Sequence, residues 1–233
     1  MHGEQTLVPT PLGDARITRF AAGSGSGAGS AAGAGSASGS AAGARRATLM
    51  LGHGAGGGIE APDLQALAAA LPAQGIEVAL VEQPWRVAGK RLAPAPKTLD
   101  VAWRAILADA ADEPASGGVP LIVGGRSAGA RVACRTGRET GAHAVLALAF
   151  PLHPPGKPAQ SRAAELLGSG LPTLVVQGAV DPFGGPEAFP PLPPTHRLVG
   201  LPAGGHEFKV RKTQEPVLGL ITAAVAAWIS SLV

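Results

Sequence analysis

From Ala47 onward the chain alternates short, almost unbroken apolar runs with segments of helical period, and this alternation constrains its fold more than any other feature. The strands expected are Ala47–Gly52, Glu77–Val81, Val119–Val123, Ala144–Phe150, Thr173–Gln177 and Arg197–Leu201. Between them lie helical segments over Asp63–Leu71, Leu99–Ala110, Ala130–Arg138 and Arg162–Leu167, and a last helix within Val217–Val233. Strands that are apolar on both faces belong to a mostly parallel sheet covered by helices on both sides, an α/β fold. In such a sheet, chemistry gathers at the carboxyl ends of the strands. Leu7–Phe20 adds two short strands around a turn at Pro11-Leu12-Gly13. Residues 21–44 are only Ala, Gly and Ser, too small to build a core, and read as a flexible insertion within one domain spanning residues 1–233.

Composition removes several function classes. The 233 residues are 45% hydrophobic and 15% charged, with a formal charge of +3 and no aromatic-interleaved basic stripe, which argues against a nucleic-acid partner. Cys134 is the only cysteine, so a disulfide framework and a cysteine metal site are excluded; a buried structural thiol is expected. No charged segment followed by an apolar run opens the chain, which fits a cytoplasmic setting. Val217–Val233 carries no charge but is short for a membrane span. Val217, Ile221, Val225, Trp228 and Leu232 share one helical face, as in a helix packed on a sheet, with a tail anchor as the alternative; no membrane partner is expected.

Gly125-Arg126-Ser127-Ala128-Gly129 follows an apolar strand and precedes a helix. G-x-S-x-G in that context is a nucleophile elbow, a turn so sharp that flanking side chains would clash. A serine nucleophile needs a base, and the base needs a carboxylate to orient it and stabilise its cation. With this motif on this kind of sheet the chain order is serine, acid, histidine. His196 and His206 lie late enough, but His196 stands at the amino end of its strand and His206 follows the same strand's carboxyl end. Of Glu139, Glu165, Asp181 and Glu187, only Asp181 closely follows a strand. An oxyanion hole would combine the Ala128 N–H with one from the glycine-rich loop His53–Gly58, best placed at Ala55. His53 is expected to buttress that loop. The same loop also reads as Gly52-x-Gly54-x-x-Gly57, with Glu82 ending the next strand, which fits a dinucleotide site but leaves Ser127, Asp181 and His206 unexplained.

With those residues in place the chain resembles the α/β-hydrolases and is close in size to the dienelactone hydrolases. More narrowly it is similar to the α/β-hydrolase-like domain of the testis-expressed relatives of a non-specific-lethal histone acetyltransferase complex subunit. The resemblance rests on LGHGAGGG (Leu51–Gly58), EQPWRVAGKR (Glu82–Arg91), GGRSAGARVA (Gly124–Ala133), FPLHPPGKP (Phe150–Pro158) and QGAVDPFG (Gln177–Gly184), and covers about Ala47–Val210. It implies the α/β-hydrolase fold and a hydrolase whose substrates are poorly defined in the family. The triad read from Ser127, His206 and Asp181 makes the expected activity that of a serine hydrolase of small acyl esters or related substrates, with no cofactor and no metal. The alternative is a non-catalytic partner-binding module, since relatives serve as complex subunits. Arg86, Arg126 and His153 lie in motifs expected to border the site and could hold an anionic group, or could make structural contacts. No inserted stretch is long enough for a large lid. In this fold the second strand is antiparallel, so the Ala/Gly/Ser insertion should lie opposite the site.

Overall fold

The computed structural model describes residues 3–23, 45–112 and 118–233. Nearly all of the Ala/Gly/Ser insertion lies outside the described residues. In chain order the elements are β1 (Glu4–Val8), β2 (Ala15–Phe20), β3 (Ala47–Gly52), α1 (Pro62–Ala70), β4 (Ile76–Glu82), α2 (Pro84–Val87), α3 (Pro96–Asp112), β5 (Leu121–Arg126), α4 (Ala128–Thr136), β6 (Ala144–Leu148), α5 (Ala163–Leu167), β7 (Thr173–Gln177), β8 (His196–Gly200) and α6 (Leu218–Ser230).

The strands form one eight-stranded sheet in the order β1-β2-β4-β3-β5-β6-β7-β8. β3 to β8 pair in parallel, while β2 is antiparallel to β4 and to β1. This is the expected α/β class, an α/β-hydrolase fold with a mostly parallel sheet.

The period-two alternation of the strands divides the core between the two faces. Leu49, Leu51, Val78, Leu80, Leu146 and Leu174 pack with Leu64 and Leu67 of α1 and with Ile221, Val225 and Trp228 of α6. Met50, Ala79, Val81, Val123, Val145 and Val175 pack with Trp103 and Ile106 of α3 and with Ala130 and Val132 of α4. Each fully buried leucine or valine contributes about 1.5–3 kcal/mol, so both layers are needed to hold the sheet. The apolar face of α6 is spent on this core, and among the described residues no helix is long and apolar enough to cross a membrane.

Beyond shifts of a few residues at element ends, such as β1 beginning at Glu4, α3 at Pro96 and β6 ending at Leu148, two departures from the sequence expectation bear on the site. β5 runs on through Gly124 and Gly125 to Arg126, pairing Leu51 with Gly124 and Gly52 with Gly125. Glycines usually mark a turn, but here they admit close neighbours: a Cβ on Gly124 would lie 2.5 Å from the Leu146 carbonyl oxygen. α2 is a four-residue helix that begins on Pro84, whose ring fixes a helical φ.

The order of strands reverses at β3, with β4 on one side and β5 on the other. Ligand crevices in open α/β sheets form at such a switch point, outside the carboxyl ends of the strands. At the opposite edge, Gly23 N–H donates to Pro72 O and Arg46 N–H to Gly75 O, so the chain leaves toward residues 24–44 and returns beside the amino end of β4.

Candidate active site

Ser127 sits between β5 and α4 with φ 53° and ψ −111°, a conformation costly for a residue with a side chain. Such strain costs on the order of 1–3 kcal/mol and persists only where the surroundings enforce it. They do so through close backbone approach. A Cβ on Gly129 would lie 2.6 Å from Gly52 C and 3.0 Å from His53 O, and closer still to Gly52 O. On Gly125 it would strike the same Gly52 carbonyl. Glycine at both flanks therefore lets β5 and α4 dock against the end of β3.

His206 follows β8 in a loop turned by Gly204 at φ 91° and Phe208 at φ 54°. Its Nε2 lies 2.9 Å from Ser127 Oγ and its Nδ1 2.8 Å from Asp181 Oδ2. Phe183 covers the imidazole, ring centroids 4.2 Å apart. Asp181 is buried and its oxygens are shared among several donors. Phe183 N–H donates to Oδ1 at 2.8 Å, and Gln177 Nε2 donates to Oδ2 at 3.0 Å. Gln177 also donates to Phe150 O and Gly184 O, tying the acid loop to the ends of β6 and β7. The three residues singled out from sequence thus meet in one hydrogen-bonded row.

The alternatives are engaged elsewhere. Glu139 pairs with Arg104, Glu165 pairs with Arg131 and Arg135, and Glu187 is exposed. His196 Nε2 lies near Ser169 Oγ and Leu166 O at the amino edge of the sheet. Glu82 pairs with Arg16, and Cys134 is buried, its thiol pushed up to about 12 by burial.

The loop after β3 is fixed by His53. Gln83 N–H donates to His53 Nε2 at 3.3 Å, so the ring proton resides on Nδ1, which donates to Gly54 O at 2.8 Å. Gly54 C=O and Ala55 N–H belong to one planar peptide and point in opposite directions. Holding the carbonyl from behind therefore aims the Ala55 N–H outward. Burial pushes the His53 pKa below 6.5, which keeps the ring neutral and able to accept from Gln83. Ala128 is the first residue of α4, where an N–H has no intrahelical acceptor. Ser127, Ala55, Arg126 and His206 line a cleft of about 380 Å³ together with Gly56, Gly57, Glu60 and Lys209.

Arg86, Arg126 and His153 are each engaged by neighbouring protein groups. Arg126 lines the cleft, but its Nε lies 3.2 Å from Asp63 Oδ2 and its Nη2 donates to His206 O at 2.6 Å. Arg86 pairs with Glu60 at 3.2 Å. His153 lies 2.9 Å from Pro154 O through Nδ1 and packs beside Gly184. Sequence reasoning gave no role to Gln177, Asp63 or Phe183. Gln177 and Phe183 stood within the quoted motif around Asp181; nothing local to Asp63 signals its partner.

A family model described as an alpha/beta hydrolase domain matches residues 45–232. The chain belongs to the alpha/beta hydrolase family. No curated protein sequence matches it significantly. Among solved structures, this hydrolase domain is similar to XC6422 from Xanthomonas campestris, described as an α/β serine hydrolase without lid. Identity is 18%, the TM-score is 0.70, and the match covers 98% of this chain and 95% of the other. It is also similar to a dienelactone hydrolase from Anabaena variabilis, at 17% identity, TM-score 0.66 and full coverage of both chains. Est1E from Butyrivibrio proteoclasticus matches at 12% identity and TM-score 0.70, over 99% of this chain and 98% of that one. At these identities the likeness establishes the hydrolase fold. Among the described residues no group of His, Cys, Asp and Glu could hold a metal ion.

Proposed function

We propose that the protein is a serine hydrolase of small acyl esters or related substrates, working through an acyl-enzyme intermediate. The observation that carries this reading is the unbroken row Ser127 Oγ–His206–Asp181, with 2.9 Å and 2.8 Å contacts at a strained elbow. Ser127 attacks the carbonyl as His206 Nε2 takes its proton, and Asp181 accepts from Nδ1–H, fixing the tautomer and stabilising the imidazolium. Ala55 and Ala128 N–H groups hold the developing oxyanion. His206 then protonates the leaving group. Water, deprotonated by the same ring, releases the acyl group. The residues involved need no cofactor.

The cleft is small, at about 380 Å³, which favours short acyl groups. Arg86 and Arg126 each face a carboxylate, which supports structural work for both over capture of an anionic substrate. The lone buried thiol of Cys134 suits the reducing, cytoplasmic setting that belongs to this proposal. A fluorophosphonate probe tests the reading: Ser127 should be labelled stoichiometrically, and short p-nitrophenyl esters should turn over. A folded chain that neither labels nor hydrolyses would instead be the partner-binding module that the resemblance to complex subunits allows.

A further inference from the structure

The residue before the proposed nucleophile is an arginine whose surroundings do not suit substrate binding. The Arg126 side chain is only 11% exposed and reaches in two directions. Its Nε faces Asp63, at the start of α1 and itself 1% exposed. Its Nη2 donates to the backbone carbonyl of His206 at 2.6 Å. The stem runs beside the loop after β3, where a Cβ on Gly54 would meet Arg126 Cγ and Nη1 at 3.8 Å, an ordinary contact. Three segments far apart in sequence therefore converge on one guanidinium.

The ion pair is not explained by its own energy. Arg126 Nε and both Asp63 oxygens lack a well-aligned hydrogen bond among the described residues. Burial pushes the Asp63 carboxyl above its ordinary range, and the Arg126 charge together with the backbone N–H groups of Asp63 and Leu64 offsets only part of this. Buried pairs of this kind seldom add net stability. The contact at the other end of Arg126 is short and charge-assisted, the stronger class of hydrogen bond.

The His206 loop is anchored on either side, by Val180 N–H donating to Gly204 O and by buried Phe208, and Arg126 holds the main chain between these anchors. The loop has no regular structure, turns at two residues of positive φ, and carries exposed Glu207 and Lys209 side chains. We propose that Arg126 is a positioning residue: backed by Asp63, its guanidinium holds the His206 carbonyl and so sets the reach from His206 Nε2 to Ser127 Oγ. The tie closes a ring. Ser127 is bonded to Arg126, Arg126 holds the main chain of His206, and the His206 ring returns to Ser127. Proton transfer depends steeply on that last distance, and a 1 Å misplacement costs on the order of 10²-fold.

This inference rests on the serine-hydrolase reading for its kinetic arm but has a second, independent readout. The protein to compare with the parent is the double variant Asp63→Asn/Arg126→Met, which removes both buried charges together and leaves neither unpaired. Against a short p-nitrophenyl ester, kcat should fall on the order of 10²-fold with KM within about twofold. Arg126→Lys, a point charge that can satisfy one partner only, should recover part of the loss. Nuclear magnetic resonance of histidine-labelled protein supplies the other arm. The parent should give a low-field Nδ1–H signal for His206, identified by its loss in Asp181→Asn, and the double variant should broaden it by exchange while melting as one cooperative unit. Unchanged kcat with an unchanged His206 signal would overturn the clamp, as would a rise in KM at constant kcat, which would make Arg126 a substrate ligand. If the parent neither labels nor hydrolyses, the proposed function fails, and the His206 signal alone then decides whether Arg126 holds the loop.

Discussion

Gly129→Ala probes the docking of α4 against the strand that leads to the proposed oxyanion loop. Gly129 lies within α4 at a φ that alanine accepts, so the added methyl acts only through space. It would lie 2.6 Å from Gly52 C and 3.0 Å from His53 O, both backbone atoms. An ordinary C···C contact is about 3.5–4 Å, so α4 and the end of β3 must separate by roughly 1 Å. Overpacking of this kind costs about 1–3 kcal/mol. For a chain of this size that lowers Tm by about 2–4 °C per kcal/mol. Activity should suffer more than stability. Gly52 and His53 lead directly into the Gly54–Ala55 peptide, and a 1 Å shift of an oxyanion donor costs on the order of 10²-fold in kcat. The assay is calorimetry beside p-nitrophenyl ester kinetics and the rate of fluorophosphonate labelling. Gly219→Ala is the control: it lies in α6 with nothing within 4 Å of the new methyl, and should raise stability by about 0.4–1 kcal/mol without touching kcat. A Gly129→Ala protein with parental Tm and parental kcat would refute the close approach of β3 to α4 and the argument built on it.

Ser127→Ala should abolish labelling and lower hydrolysis by about 10³-fold or more with little change in Tm. His206→Ala should behave alike in turnover, while His196→Ala, at the opposite edge of the sheet, should leave hydrolysis near the parental rate. His53→Ala should lower kcat by about 10²-fold with KM near the parental value, because the Ala55 N–H loses its backing. Since the folded pKa of His53 is lowered, the unfolded chain takes up that proton first, so the parent loses stability as pH falls below 6.5 and the variant should lose less in chemical melts. Cys134 has the opposite sense: its pKa is raised by burial to about 12, so its stabilising contribution is intact below the ordinary thiol value of 9.0 and fades as pH climbs from 9.0 to 12, a slope that Cys134→Ala should flatten in alkaline denaturant titrations. Replacing residues 24–44 by a short Gly/Ser turn should leave hydrolysis unchanged, because Gly23 and Arg46 flank the tract at the amino edge of β4; a folded but inactive product would show that the tract serves the site.

What was legible in the sequence follows from how local each constraint is. Ser127 was legible because the elbow needs two glycines at fixed offsets, and both are accounted for by one carbonyl, Gly52 O. Asp181 and His206 were legible because each closely follows a strand at the same sheet edge, which selects them from the four acids and two histidines that chain order alone leaves open. The course of β5 through Gly124 and Gly125 was not, since glycine signals a turn locally and only the neighbouring Leu146 carbonyl gives it a reason to lie in a strand. Arg126 marks the limit most sharply. Its place beside the serine made it a candidate for substrate binding, but its two partners stand at Asp63 and His206, the latter 80 residues away, and no spacing rule connects them. An arginine's role is set by which of its five donors are already taken, and that is a property of the folded chain. The groups that do the proposed chemistry are fixed by short-range backbone geometry and can be read from a string of residues. Those that hold it in register are fixed by long-range contact, which is why they emerge only once the sheet has brought β3, β5 and the loop after β8 together.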